Sequence, residues 1–185
     1  VEDGVAHDLL VVGDVRIPFV EAVVPVVEAA EHLLVFPARH EGIEDSPAVV
    51  SLGPLPNQSV APALAWCRDA LSARRFFIVG ADDTWSRSAA AFAADQLSAT
   101  GADLVAEEFV SAGSTDVSKA VREIVAAQPD VVCCLLPGES AALLLHRLRE
   151  AGVRSTDIPV LLLAVDEEDL VGMPRDDVTG AYMAA

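Results

Sequence analysis

Lysine is almost absent from this chain. Of its 12 basic residues only Lys119 is a lysine, and 29 aspartates and glutamates bring the net charge to −17. So acidic a polypeptide repels phosphate backbones, which argues against nucleic acid as a partner. Apolar residues make up 52% of the 185 positions, yet they form no long run. The longest, at 131–136 and 159–165, have the length of strands and fall far short of a membrane span. No positively charged segment followed by an apolar stretch opens the sequence, so no secretory signal is legible in it. Cysteines are few and odd in number. Cys133 and Cys134 are adjacent within an apolar run, where neighbouring strand side chains point to opposite faces. That is poor geometry for a disulfide or a shared metal, so these two and Cys67 read as small buried hydrophobes. Neither a Gly-x-Gly-x-x-Gly nor a Gly-Lys-Ser/Thr is present, and His7, His32, His40 and His146 have no metal-ligand spacing. No cofactor and no metal are expected.

What is present is alternation. Strand-length apolar runs at 9–12, 33–36, 49–52, 75–79, 104–109, 131–136 and 160–165 are separated by helical patterns. Those patterns fall at 18–30, 60–71, 85–100, 117–127 and 139–151, with a short one at 167–171. Near-continuous Val/Leu strands between helices predict an α/β fold, a doubly wound parallel sheet covered on both faces. Pro129 and Pro159 sit at strand entries, where proline does least harm. The Gly53–Pro56 stretch interrupts the alternation and is the expected boundary between domains.

Two segments carry a resemblance. Phe36-Pro37-Ala38-Arg39-His40-Glu41-Gly42 stands where a Tyr-Pro-x-x-Tyr-Glu-Gly motif is typical, and Leu55-Pro56-Asn57-Gln58 stands where Ala-Pro-Asn-Gln is typical. With the FFIVGADDTWSRSAA run at 76–90, the pattern resembles the amide/urea-binding branch of the type I periplasmic solute-binding proteins, bilobed clamps similar to the leucine/isoleucine/valine-binding proteins. The resemblance implies a partial first lobe over 1–53, a crossing segment over 54–59 and a complete second lobe over 60–185, so that one α/β lobe is accompanied by a partial second one.

In open parallel sheets ligands sit outside the carboxyl ends of the strands. Together with the resemblance this nominates Arg16, Phe36, Arg39, His40, Asp83, Thr84, Trp85, Gly138, Glu139 and Asp166 as ligand-binding residues. They lie on the loops at 13–18, 37–42, 80–86, 137–140 and 165–168, and Arg39 and His40 are expected to face the ligand from the first-lobe fragment. The pocket differs from that of the amide branch. Val15 and Ile17 replace a tyrosine and a serine, His40 replaces a tyrosine, and Asp83 stands where a pocket tyrosine is usual. Unmade hydrogen bonds to a buried polar ligand cost about 1–3 kcal/mol each, so the fold carries over and the amide specificity does not. Asp83, Glu139 and Asp166 make the edge acidic, which favours a cationic or amino group, with Trp85 available to stack on it.

An enzymatic reading is weaker. Gly138-Glu139-Ser140-Ala141-Ala142 follows a strand and opens a helix, as a nucleophile elbow does, but it lacks the last glycine, and a helix N-cap serine accounts for it equally well. His146, on a helix rich in leucine, reads as a packing or edge residue. The chain therefore resembles a non-enzymatic binding module for a small polar ligand (an amide, urea or an amino-acid-like molecule), as found in ABC uptake systems. Its partners would be an ABC permease and, given the open strands of a partial lobe, a second copy of itself. The other reading is an amide sensor of the cytoplasm acting through a protein regulator. The first places the chain outside the cytoplasm, after removal of a signal; the second places it inside.

Overall fold

The computed structural model describes residues 9–11, 17–42, 45–111 and 114–184. The chain divides into two compact units, Val1–Leu55 and Pro56–Ala185.

In the smaller unit, strands β1 (Leu9–Val11), β2 (Leu33–Phe36) and β3 (Val49–Ser51) form a parallel sheet in the order β1-β2-β3. Helix α1 (Ile17–Ala29) connects the first two. Period-2 alternation sets what is covered: Leu34 and Phe36 pack with Val24 and Val27 of α1, whereas Leu33 and Val50 are about two-fifths exposed. The pairs Leu34↔Val49 and Val35↔Val50 keep each face in register across β2 and β3.

The larger unit is a five-stranded, all-parallel sheet in the order β5-β4-β6-β7-β8. Its strands are β4 (Arg75–Asp82), β5 (Asp103–Ser111), β6 (Val131–Leu135), β7 (Val160–Leu162) and β8 (Tyr182–Met183). Adjacent phenylalanines show how the sheet is sandwiched. Phe76 and Phe77 are both fully buried but on opposite faces, each contributing about 1.5–3 kcal/mol of burial. Phe76 packs with α2 (Pro56–Ala70) and α3 (Thr84–Ala99), where Ala89, Ala90 and Ala93 allow close approach to the sheet. Phe77 packs with α4 (Ser118–Ala127) and α5 (Gly138–Glu150). Cys133 and Cys134 divide in the same way, and Cys67 lies in the same cluster as Cys133. A bulge leaves Val105 outside the β4–β5 pairing.

The strands at 75–79, 131–136 and 160–165 are parallel neighbours, as expected. The boundaries differ in instructive places. Helix α2 begins at Pro56 rather than at 60, because proline at the first helical position loses nothing and its fixed φ suits the turn. Asn57, Gln58 and Ser59 are therefore helical. Strand β7 ends at Leu162, and two elements were not anticipated: α7 (Arg175–Val178) and β8, which follow the short α6 (Glu167–Val171). No helix among the described residues is long and apolar enough to cross a membrane.

Candidate functional site

The chain order of the large sheet creates a switch point. From β4 the chain passes through α3 to β5 on one side, then through α4 to β6 on the other side. The crevice outside the carboxyl ends of β4 and β6 is where such sheets bind ligands. Three helices, α3, α5 and α6, start at this edge, directly after β4, β6 and β7.

Asp83 is the N-cap of α3, and its Oδ1 accepts a hydrogen bond from the Ser86 amide at 2.7 Å. Asp166 is the N-cap of α6. Its Oδ1 accepts from the Glu168 and Asp169 amides, each at 3.0 Å, while Asp169 Oδ2 accepts from the Asp166 amide at 3.2 Å, a reciprocal capping box. Both aspartates thus satisfy helix amides that would otherwise be unpaired. Helix α5 differs: it opens at Pro137 without a side-chain cap, and Glu139 lies in its first turn. Gly138, its first residue, packs against Asp169, and a Cβ there would sit 2.5 Å from Asp169 Oδ1. Only glycine fits.

The large unit therefore brings Asp83, Thr84, Trp85, Gly138, Glu139 and Asp166 to one edge, with the four polar side chains exposed and Trp85 half-buried. Phe36, Arg39 and His40 belong to the other unit and lie at the carboxyl end of its own sheet. There the Phe36 ring meets His40 edge-on with centroids 6.4 Å apart, and His40 Nδ1 accepts from the Gly42 amide at 3.2 Å. Arg16 and Val15 lie outside the described residues; Ile17 and Pro18 belong to α1 rather than to a loop.

Local reading of the sequence missed two groups that shape this edge. Ser86 is buried, and its hydroxyl donates to the Leu135 carbonyl at 3.1 Å, joining the start of α3 to the end of β6. Arg87 donates to Asp82 at 2.6 Å and lies 4.3 Å above the Phe109 ring. That hydrogen bond holds the Asp82 carboxyl below the usual carboxylate range and raises the Arg87 guanidinium. At the neighbouring α4 start, the Ser118 amide hydrogen bond lowers Asp116. Arg87 is thus committed to Asp82, and Asp83, Glu139 and Asp166 present exposed acidic side chains along this edge.

The Ser140 reading is corrected: the N-cap of α5 is Pro137, and Ser140 sits inside the first turn with its hydroxyl turned toward the Ser114 carbonyl at 3.5 Å. His146 pairs with Asp177 and Glu150 instead of with Ser140. Among the described residues no group of three or more His, Cys, Asp or Glu is arranged to hold a metal ion.

A family model described as a periplasmic binding protein domain matches residues 18–185, and the chain belongs to that family. Its fold is similar to that of a solute-binding protein of an ABC transporter from R. palustris in complex with 4-hydroxybenzoate, with a TM-score of 0.76 and 19% identity over 88% of this chain and 44% of that one. The leucine-binding protein LivK of Thermotoga maritima gives 0.68 and 19% over 83% and 43%. An amino acid ABC transporter substrate-binding protein from Pseudomonas fluorescens gives 0.75 and 16% over 88% and 44%. The chain spans less than half the length of these structures.

Proposed function

We propose that this chain is a non-enzymatic, extracytoplasmic ligand-binding module of an ABC uptake system, its larger unit forming the second lobe of a clamp and its smaller unit a piece of the first. The ligand is a small molecule bearing an amino or other cationic group, amino-acid-like in character, taken at the carboxyl edge of the β5-β4-β6-β7-β8 sheet. The observation that carries this reading is the concentration of Asp83, Glu139 and Asp166 around the switch point while Arg87 is held by Asp82. Trp85 supplies an apolar face for the cation beside it. Proteins of similar fold described as binding leucine or serving amino-acid transport agree with an amine-bearing ligand. Benzoates, bound by others of that fold, lack the ammonium that this edge selects. Urea and acetamide are not expected to bind, because Val15 and Ile17 stand where a tyrosine and a serine are typical of amide binders, and Asp83 where a tyrosine is. Calorimetric titration with L-leucine, L-lysine, 4-hydroxybenzoate, urea and acetamide at millimolar concentration is the test. Saturable heat from an amine-bearing ligand alone is expected; binding of benzoate or urea, or of none of the five, overturns the reading.

One observation favours a second reading, action through a protein partner or another copy of the chain. Parallel sheets are normally covered on both faces, yet Leu33 and Val50 stand exposed on the face of β2 and β3 turned away from α1. Light scattering at micromolar concentration should then show a dimer or larger assembly, and a clean monomer speaks against it.

A further inference from the structure

Helices α3, α4, α5 and α6 all start at the carboxyl edge of the larger unit's sheet, after β4, β5, β6 and β7. Helix starts attract anions, because their first amides lack acceptors and the dipole is positive there. At three of the four, an aspartate of the chain supplies the acceptor. Asp83 Oδ1 accepts from the Ser86 amide of α3 at 2.7 Å, Asp116 Oδ1 from the Ser118 amide of α4 at 3.0 Å, and Asp166 Oδ1 from two amides of α6. Helix α5 has no side-chain cap. Its first backbone bond runs from the Ala141 amide to the Pro137 carbonyl at 3.0 Å, so the amides of Gly138, Glu139 and Ser140 have no acceptor within the helix.

What stands against that start is Asp169. Its Oδ2 accepts from the Asp166 amide at 3.2 Å, which fixes the carboxylate, and its Oδ1 is the atom nearest to Gly138. A Cβ on Gly138 would lie 2.5 Å from Oδ1 and 3.2 Å from Cγ. Glycine as the first residue of α5 is therefore what lets the carboxylate come so close. Glu139, in the same first turn, is exposed, whereas Asp169 is half-buried and tied in place. The capping box of α6 uses one oxygen of Asp169. The other is left to meet the positive end of α5.

We propose that Asp169 is a specificity-determining residue that bars anions from this edge. By fixing a negative charge against the one helix start without a side-chain cap, it turns a ligand carboxylate away from the α5 amides and leaves the edge to the ligand's amino end. The proposal rests on the reading of this edge as the ligand site and adds to it a second ground on which benzoates are refused. A benzoate lacks the ammonium, and the place its carboxylate would take is already faced by a carboxylate of the chain.

The test titrates the full chain and its variants with 4-hydroxybenzoate and follows the amide NMR signals of Gly138, Glu139 and Ser140. Asp169→Asn keeps the side chain's size and an oxygen for the Asp166 amide, so the charge alone is lost. The natural chain should show no saturable shift of these amides at millimolar benzoate. Asp169→Asn should show one, with an affinity about three- to thirtyfold above the natural chain's, the range of one charge at a helix start. Asp169→Ala, which removes bulk and charge together, should bind at least as well. Asp95→Asn makes the same change in net charge at an exposed position near the far end of α3 and should behave as the natural chain does. Saturable shifts in the natural chain overturn the proposal. So do Asp169 variants that bind the anion no better than the natural chain, or an Asp95→Asn chain that gains as much as they do. Failure of amine ligands to bind the natural chain would count against the proposed function alone, since every arm here is read with an anion.

Discussion

The Ser86 hydroxyl donates to the Leu135 carbonyl at 3.1 Å, inside a crevice bounded by Gly80, whose Cβ would lie 3.3 Å from the Ser86 side chain and 3.4 Å from that of Leu135. This contact fills the switch point from below and fixes where α3 begins relative to the end of β6. Ser86→Ala leaves a buried carbonyl without that partner, so the larger unit should lose about 1–3 kcal/mol. Urea unfolding monitored by the fluorescence of Trp66 and Trp85 measures it; a loss within about 0.5 kcal/mol, as at unremarkable surface positions, would contradict the assignment.

The aspartate caps set how the ligand edge has to be tested. Asp83→Ala and Asp166→Ala remove caps as well as charges and should each cost about 1 kcal/mol of stability. Asparagine caps nearly as well as aspartate, so the Asp83→Asn, Asp166→Asn double variant should keep its melting temperature within about 2 °C. Its affinity for an amine-bearing ligand should fall about tenfold or more, the equivalent of 1.4 kcal/mol. Unchanged affinity in the asparagine pair places the ligand elsewhere.

Acid should loosen the β4–α3 corner. The Asp82 carboxyl is lowered by its bond to Arg87, so the stabilisation from the pair is present above the unfolded-state carboxylate value of about 3.9 and is lost as pH falls through the lower folded value. Carbon-detected NMR titration should place Asp82 below that reference, and Arg87→Gln should bring it back up. Identical titration in both chains would count against the pair.

The thiols should be silent in the native chain. Burial raises Cys67 to about 11 and Cys134 to about 12, and it raises Cys133 as well, with Cys67 and Cys134 adding to the effect. Thiolate is the reactive form, so an aromatic disulfide reagent at neutral pH should modify none of the three cysteines until denaturant is added. Rapid labelling of even one in the folded state would show that the core opens.

Hydrophobic runs made most of the fold legible. Strands such as 131–136 are buried on both faces and need no partner to announce themselves. Helix α7 and strand β8 were not legible, because four and two residues are too few to display a period. Asp83 and Asp166 were found but assigned one role where they have a structural one. The signal was available, since Asp166 is followed three residues later by Asp169, the spacing of a reciprocal cap. Asp177 escaped because its partners His146 and Arg149 are 31 and 28 residues away, and such pairings leave no local pattern. Ser86 escaped for the same reason, its acceptor being 49 residues on.

The strand order β5-β4-β6-β7-β8 also bears on how the chain is made. Once β4 and β5 have paired, every later strand joins at the same growing border, in the order in which the ribosome delivers it. No strand has to be threaded between two that are already in place. A vulnerable interval comes between β7 and β8, when Leu161 and Leu162 wait at an open border for Tyr182 and Met183, with the whole of α6 and α7 still to be synthesised between them. A nascent chain stalled in that interval presents its stickiest strand to its neighbours on the polysome.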